Sequence, residues 1–274
     1  MSHHRRAEPA SEQAFIASGR VEMPNDGFVF DGTVGGGAGP EPASSQSGST
    51  VDHKAPLDPQ PPVVWKLFAD ELYFQCHHDG YGDGRPRMAE PAVRLGLAGA
   101  LLVELTWHQW IRLHDELVIV QRSGPPPDLT AHEVMDHIRG EPKPLPVWAW
   151  LKFLSAMSLE MIAKRLERRG LLQQEQRGWL RREMRYVPVD NNYAAWANAR
   201  LVAAYRRGFD FGLTDLVQIS LVTATGFHRE VFYDVPAERL DTLTTWANDG
   251  TPEQVRSLIQ MIQASAGNAV MAPR

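Results

Sequence analysis

The sequence predicts a mainly α fold: a single globular domain around a central apolar helix, with one or two small β-hairpins. Residues 92–107 indicate the central helix, because this segment is almost wholly apolar and far longer than a strand. Proline and glycine divide most of the remaining chain into helix-length segments, and strand-like patterns occur in only two short stretches.

Two parts of the chain differ in composition. Residues 1–62 contain runs rich in Gly, Ser and Pro that cannot form a packed element, so we expect this acidic segment to be disordered. The globular domain is predicted to begin at residue 63 and to continue to residue 274.

The first elements can be assigned in order. Apolar residues at helical spacing predict a helix that begins near Leu67 and ends before a glycine-rich connection. In the central helix, Gly96 and Gly99 are expected to form a smooth face against which another helix packs closely. Residues 111–120 alternate around Asp115 and Glu116, which predicts a β-hairpin.

Proline clusters and Gly170 delimit the following elements. Gly170 is predicted to cap the helix that precedes it. Residues 178–189 are too short and too charged for a core helix, which favours a hairpin or an irregular protrusion. The predicted helices after the first hairpin span residues 129–139, 147–155, 157–169, 193–207, 213–225, 235–248 and 252–265.

Composition limits the function. The net charge of -5 argues against a general nucleic-acid binder. The single cysteine, Cys76, excludes an internal disulfide and is expected to be a buried, inert thiol in a reducing compartment. The longest apolar run, residues 95–105, is about half as long as a membrane span and contains Glu104. We therefore expect a cytoplasmic protein whose membrane contact would be peripheral.

No segment has a pattern typical of a catalytic, metal or cofactor site, and we expect no enzymatic activity. His132 and His137 lie five residues apart, about 140° around a helix, so they cannot share a metal ion. Glu104 lies within an apolar helix, where its carboxylate needs a cationic or hydrogen-bonding partner. Core packing is expected for four tryptophans: Trp107, Trp110, Trp148 and Trp150.

Residues 164–185 concentrate positive charge in a protein that is acidic overall. This stretch has eight Lys or Arg residues against three Glu residues, and Trp179 and Leu180 directly precede two arginines. Cations beside exposed apolar residues suit an anionic lipid surface. A solvated helix end followed by a charged loop is the alternative interpretation.

Several segments resemble, in the same order, segments of the Golgi phosphoprotein 3 family. Residues 67–74 (LFADELYF) resemble its first helix, and residues 96–105 (GLAGALLVEL) with residues 111–113 (IRL) resemble its central helix and the strand that follows. Residues 147–151 match its V-x-x-W-I/L helix, and residues 169–192 follow its helix–protrusion–helix order.

The resemblance covers about residues 63–225, and the Gly- and Ala-rich composition is similar to the bacterial, actinobacterial-type members. It implies a mainly α-helical domain. The eukaryotic members are peripheral membrane adaptors that recognise phosphatidylinositol 4-phosphate, insert a hydrophobic hairpin into the bilayer and bind cytoplasmic tails of membrane enzymes. That hairpin corresponds to about residues 175–186 here.

The residues that the family uses for the lipid headgroup are replaced in this chain. Ala98 stands at the arginine of the central helix, and Ala89 at the tryptophan before it. Ala156 and Leu159 stand at the two basic positions of the helix before the hairpin. Four neighbouring arginines are candidates for substitute headgroup contacts: Arg85, Arg87, Arg94 and Arg165.

The resemblance implies a peripheral membrane-associated adaptor, and the departures predict that it binds anionic phospholipid, possible phosphoinositide included, with low headgroup selectivity. The predicted membrane-binding residues are Trp179, Leu180, Arg181, Arg182 and Arg185. Cytoplasmic tails of membrane proteins are candidate partners. The alternative is a soluble protein-interaction module without lipid binding, which would use its basic face for an acidic partner, and nucleic acid is a less favoured partner.

Overall fold

The structure is a computed structural model that describes residues 67–77, 84–177 and 183–271. These ranges contain ten helices and two antiparallel sheets of two strands each, so the prediction of a mainly α fold with one or two small hairpins is confirmed, and the number of hairpins is two. The segment 1–62 that was predicted to be disordered lies outside the described residues.

The elements follow one another along the chain with short connections. They are α1 (Phe68–His77), α2 (Glu90–Trp107), β1 (Ile111–His114), β2 (Leu117–Val120), α3 (Leu129–Gly140), α4 (Val147–Ser155), α5 (Ser158–Arg168), β3 (Leu172–Arg177), β4 (Glu183–Pro188), α6 (Asn191–Arg206), α7 (Leu213–Ala224), α8 (His228–Val231), α9 (Ala237–Gly250) and α10 (Glu253–Met271).

Helix α2 is the buried centre of the fold. Its residues are buried on every side from Leu95 to Thr106, and α1, α4, α5 and α10 pack against it. A Cβ atom added at Gly96 would lie 2.3 Å from Cγ2 of Thr225, and one added at Gly99 would lie 2.4 Å from Cδ1 of Ile262. The predicted close approach at these glycines is confirmed.

Local signals in the sequence explain most helix ends. The Asp128 carboxylate caps α3 by accepting a hydrogen bond from the Ala131 N–H at 2.8 Å. Gly170 has φ +71° and ends α5 as predicted, and the Leu171 N–H donates to the Leu166 carbonyl, as in a Schellman motif. The predicted helices match the observed ones closely, except that α10 extends to Met271 and α8 was not predicted.

The first hairpin forms where the sequence predicts it, and the second begins at Leu172, six residues before the predicted segment 178–189. In the first, Ile111 pairs with Val120, and the two turn residues have the positive φ angles that a two-residue type I′ turn requires. In the second, the pairs run from Leu172–Pro188 to Arg177–Glu183. Residues 178–182 lie outside the described residues, and among them are the predicted membrane-binding residues Trp179, Leu180, Arg181 and Arg182.

Candidate functional site

The β3–β4 hairpin folds back along α5. The Gln174 side-chain amide donates to the Glu167 carboxylate at 3.1 Å, and the Tyr186 hydroxyl donates to the Glu160 carboxylate at 3.3 Å. On its other side, the hairpin meets Gly84, where an added Cβ would lie 2.3 Å from the Tyr186 carbonyl oxygen. Because Glu160 lies in the first turn of α5 and Gly84 directly precedes the segment leading to α2, the hairpin runs toward the end of the domain where α2 and α5 begin.

A pocket of about 500 Å³ lies between α2, α4 and α10 at this end of the domain. Its lining includes two cations, Arg94 and Lys152, the aromatic ring of Trp148, and the small residues Ser155, Ala156 and Ser265. We call this cavity the Arg94 pocket. The term pocket end is used for the surrounding region, which comprises residues 84–89, the start of α2 and the α4–α5 junction.

Arg94 is held at the pocket by neighbours on two elements. Its Nε donates to the Glu90 carboxylate at 2.7 Å, and its Nη1 donates to the Ala156 carbonyl at 3.3 Å. The Ser158 hydroxyl donates to the Arg94 carbonyl at 2.7 Å. The Arg94 side chain is 33% exposed. A surface ion pair such as Arg94–Glu90 is weak, so the guanidinium can leave the Glu90 carboxylate and donate hydrogen bonds to a phosphate instead.

Arg94 lies close to the positions at which the family's headgroup-binding residues are replaced. Ala98 follows Arg94 by four residues and so lies on the same face of α2, one turn further in, where it is fully buried. Ala156 directly contacts Arg94, Ala89 precedes the first turn of α2, and Leu159 lies in the first turn of α5. One of the four arginines that were candidates for headgroup contacts lines this pocket, and it is Arg94.

Arg165 is not a headgroup contact, and that prediction is wrong. The residue is 1% exposed, and its guanidinium lies among three carboxylates. Nε donates to Asp70 at 2.6 Å, Nη1 and Nη2 donate to the two oxygens of Glu104 at 2.8 and 2.9 Å, and Nη1 also reaches Asp128 at 3.3 Å. Arg165 therefore joins α1, α2, α3 and α5 from inside the domain.

The same cluster supplies the partner predicted for Glu104. The Glu104 carboxylate is fully buried, bonded to Arg165, and accepts the Ala69 N–H at 2.8 Å. Burial raises the pKa of Glu104 to about 7, because the cost of desolvating the carboxylate exceeds the attraction of Arg165. Burial also raises the pKa of Asp70, which Arg169 contacts as well.

The carboxylates of the cluster determine the direction in which the pKa of Arg165 shifts. Burial disfavours the charged guanidinium, but the surrounding carboxylates outweigh it and raise the pKa of Arg165. The cluster has three carboxylates against two guanidinium groups, Arg165 and Arg169, so one carboxylate lacks a full counter-charge. Arg165 therefore stays charged while Glu104 protonates more readily than an ordinary glutamate.

The other candidate arginines lie outside the Arg94 pocket. Arg87 is exposed, with its guanidinium carbon 5.1 Å above the ring of Phe227, and it lines a separate depression of about 590 Å³ between α6 and α8. Arg85 is exposed beside Gly84, where the chain meets the hairpin. Arg185, predicted to bind the membrane, is half-buried on β4 and opposite Glu175 in the register.

Trp148 was predicted to pack in the core, and that prediction is wrong. Trp150 and Trp110 are buried and Trp107 packs against the core, as predicted, but Trp148 is 62% exposed at the edge of the Arg94 pocket. Trp148 and Trp150 are two positions apart, about 200° around α4, so they cannot both face the core. The spacing of the inward residues Val147, Trp150, Leu151 and Leu154 could have revealed this.

The described residues also bear on the thiol, on metal binding and on membrane spans. Cys76 is buried as predicted, and burial raises the pKa of its thiol to about 12. In the described ranges, no group of three or more His, Cys, Asp or Glu side chains could hold a metal ion. No helix among these residues has both the length and the apolarity needed to cross a membrane.

Comparison with known proteins supports the resemblance. The family model Golgi phosphoprotein 3 (GPP34) matches residues 68–262, from the first residue of α1 into α10. A comparison with curated proteins yields no match. The family match includes both hairpins, the central helix and every residue of the Arg94 pocket except Ser265. The chain belongs to the Golgi phosphoprotein 3 family.

Proposed function

We propose that this protein is a peripheral membrane adaptor that binds anionic lipid surfaces through the pocket end and the β3–β4 hairpin, with low headgroup selectivity. The observation that carries the proposal is the Arg94 pocket, where Arg94 and Lys152 line one cavity at the end toward which the hairpin runs. Family membership supports the adaptor role, and the geometry of the site supports the lipid-binding role.

Charge favours an anionic surface at this end. Arg85 and Arg94 belong to it, and Lys152 lines the Arg94 pocket. The hairpin adds Arg185, and the sequence between its strands adds Arg181 and Arg182. Each cation close to an anionic membrane contributes about 1 kcal/mol. The Glu90 carboxylate reduces the contribution of Arg94. Several such contacts together support reversible binding that weakens as salt is added.

Low selectivity follows from the number of phosphate donors. A phosphate monoester is distinguished from a diester by several charge-assisted hydrogen bonds in fixed geometry. In the Arg94 pocket the charged donors are one partly paired arginine and one lysine, and Ala98, Ala156 and Leu159 supply no side-chain donor. We therefore expect vesicles of equal charge density to bind alike, whether phosphatidylglycerol or phosphatidylinositol 4-phosphate supplies the charge.

Vesicle flotation tests the proposal. The wild-type chain should float with phosphatidylcholine vesicles that contain phosphatidylglycerol or cardiolipin, and should not float with phosphatidylcholine alone. The triple variant Trp179→Ala, Arg181→Ala, Arg182→Ala should lose most of this binding.

The matched control removes the same residue types elsewhere: Trp196→Ala, Arg112→Ala, Arg256→Ala. Arg112 lies on β1, and the neighbouring Leu113 N–H donates to Gln254 at the start of α10, the opposite end of α2 from the Arg94 pocket. The control should bind like the wild type. Equal binding by the hairpin variant, or no binding of the wild type to any anionic vesicle, would refute the proposal and favour the soluble interaction module.

A further inference from the structure

We propose that the outer face of α4, formed by Trp148 and Lys152 with Phe153 at its edge, is a second membrane contact that anchors the protein at the lipid–water interface. This inference rests on the proposed function and adds a lipid-facing surface that is separate from the hairpin. Its partner is an anionic bilayer.

The geometry of α4 separates an inner from an outer face. Val147, Trp150, Leu151 and Leu154 are buried, which fixes the core-facing side of the helix. Trp148 and Lys152 lie four residues apart, one turn above the other, outside this buried stripe, and both are exposed. Phe153 is 42% exposed at the boundary between the faces.

The residue types on this face match the layers of a membrane interface. Trp has an apolar ring and one N–H donor, and it concentrates at the level of the lipid headgroups. Lys152 can extend its ammonium toward phosphate while its methylene chain covers apolar surface. Helix α4 (VWAWLKFLS) contains no acidic residue that would repel an anionic lipid.

The position of the face also favours a membrane as the occupant. Trp148 and Lys152 line the Arg94 pocket, so the face is continuous with the surface proposed to meet lipid. Trp196, which has nearly the same exposure at 61%, lies on α6 and does not line that pocket. This pair of tryptophans offers a comparison in which exposure is matched and location differs.

Partitioning into phosphatidylcholine vesicles with phosphatidylglycerol tests the inference in the full chain. Trp148→Ala should weaken partitioning about tenfold, since it removes one interfacial aromatic side chain. Lys152→Glu should weaken it further and reduce its dependence on salt. Trp196→Ala should leave partitioning unchanged. Circular dichroism should show that all three variants are folded, because each side chain is exposed.

Quenching by brominated lipids gives a second readout. The chain has eight tryptophans, so the signal of Trp148 is obtained as the difference between the wild type and Trp148→Phe. That difference should be quenched by lipids brominated near the headgroup, and the corresponding difference for Trp196→Phe should not.

The two proposals can fail separately. If Trp148→Ala partitions like the wild type while the hairpin triple variant loses binding, the α4 contact is refuted and the proposed function stands. If the wild type does not partition into anionic vesicles, both are refuted. If Trp196→Ala weakens partitioning as much as Trp148→Ala does, the effect does not depend on location, and the inference is refuted.

Discussion

Arg165→Met is expected to destabilise the folded domain strongly. Methionine keeps an unbranched, apolar side chain in the same space but removes the guanidinium that contacts Asp70, Glu104 and Asp128. Asp70 would keep Arg169, while Glu104 would keep one backbone N–H. A buried carboxylate without its counter-charge destabilises the folded state strongly.

The magnitude follows from the burial of the cluster. Removing one partner of a buried ion pair costs about 3–5 kcal/mol. No discount for solvent applies, because Arg165 is 1% exposed and Glu104 is fully buried. For a domain of this size each kcal/mol lowers the Tm by about 2–4 °C, so we expect a decrease of about 6–20 °C.

The raised pKa of Glu104 determines how this destabilisation changes with pH. The folded-state pKa of Glu104, about 7, lies above its ordinary value of 4.5. A carboxyl group with a raised pKa favours the folded state at low pH, and this contribution is lost as the pH rises from about 4.5 through 7. Without Arg165 the pKa of Glu104 rises further, so the destabilisation should be smaller at pH 5 than at pH 8.

Urea unfolding followed by circular dichroism, at pH 5 and pH 8, measures the effect. Arg169→Met is the matched control, because its side chain is 42% exposed and contacts only one carboxylate of the cluster, Asp70. The control should lose about 1 kcal/mol or less. An Arg165→Met variant that is as stable as the wild type, or one that is destabilised more at pH 5 than at pH 8, would refute this account of the cluster.

Two further predictions concern packing and the thiol. Gly96→Ala should lower the free energy of unfolding by about 1–3 kcal/mol, because the new Cβ would overlap the short, branched side chain of Thr225. Gly140→Ala, where no atom lies within 4 Å of an added Cβ, should not lower it, and a loss equal to that of Gly96→Ala would contradict the packing argument. Cys76 should not react with a thiol reagent at pH 8 in the folded protein and should react fully in urea, because burial both shields it and raises its pKa to about 12. Rapid reaction in the absence of urea would contradict its placement.

Most of the fold could be predicted because its signals are local. Proline, glycine and capping residues mark helix ends, and the glycines of α2 mark the close helix contacts before any partner is known. Helix α8 could not be predicted, since its four residues are too few to show a periodic pattern. The position of the first hairpin was predicted correctly because alternation and turn residues are also local, whereas the strand Leu172–Arg177 of the second hairpin was not predicted.

The candidate site was only partly predictable because it depends on contacts that are distant in sequence. Arg165 pairs with Asp70, 95 residues away, so its sequence neighbourhood of basic residues indicated a surface position that the fold does not give it. Conversely, Arg94 and Ala156 are 62 residues apart and meet only in the folded chain. The exposure of Trp148 required knowledge of which side of α4 faces the core.

The central claim, that the pocket end meets anionic lipid, can be measured with an environment-sensitive fluorophore on a single introduced cysteine. Cys76 is buried, so Ser155→Cys in the Arg94 pocket and Arg112→Cys at the opposite end of α2 can each be labelled selectively. On addition of vesicles containing phosphatidylglycerol, the label at position 155 should shift to shorter emission wavelengths, and the label at position 112 should not. A shift at position 112 alone, or at neither position while the protein is bound to vesicles, would contradict the account.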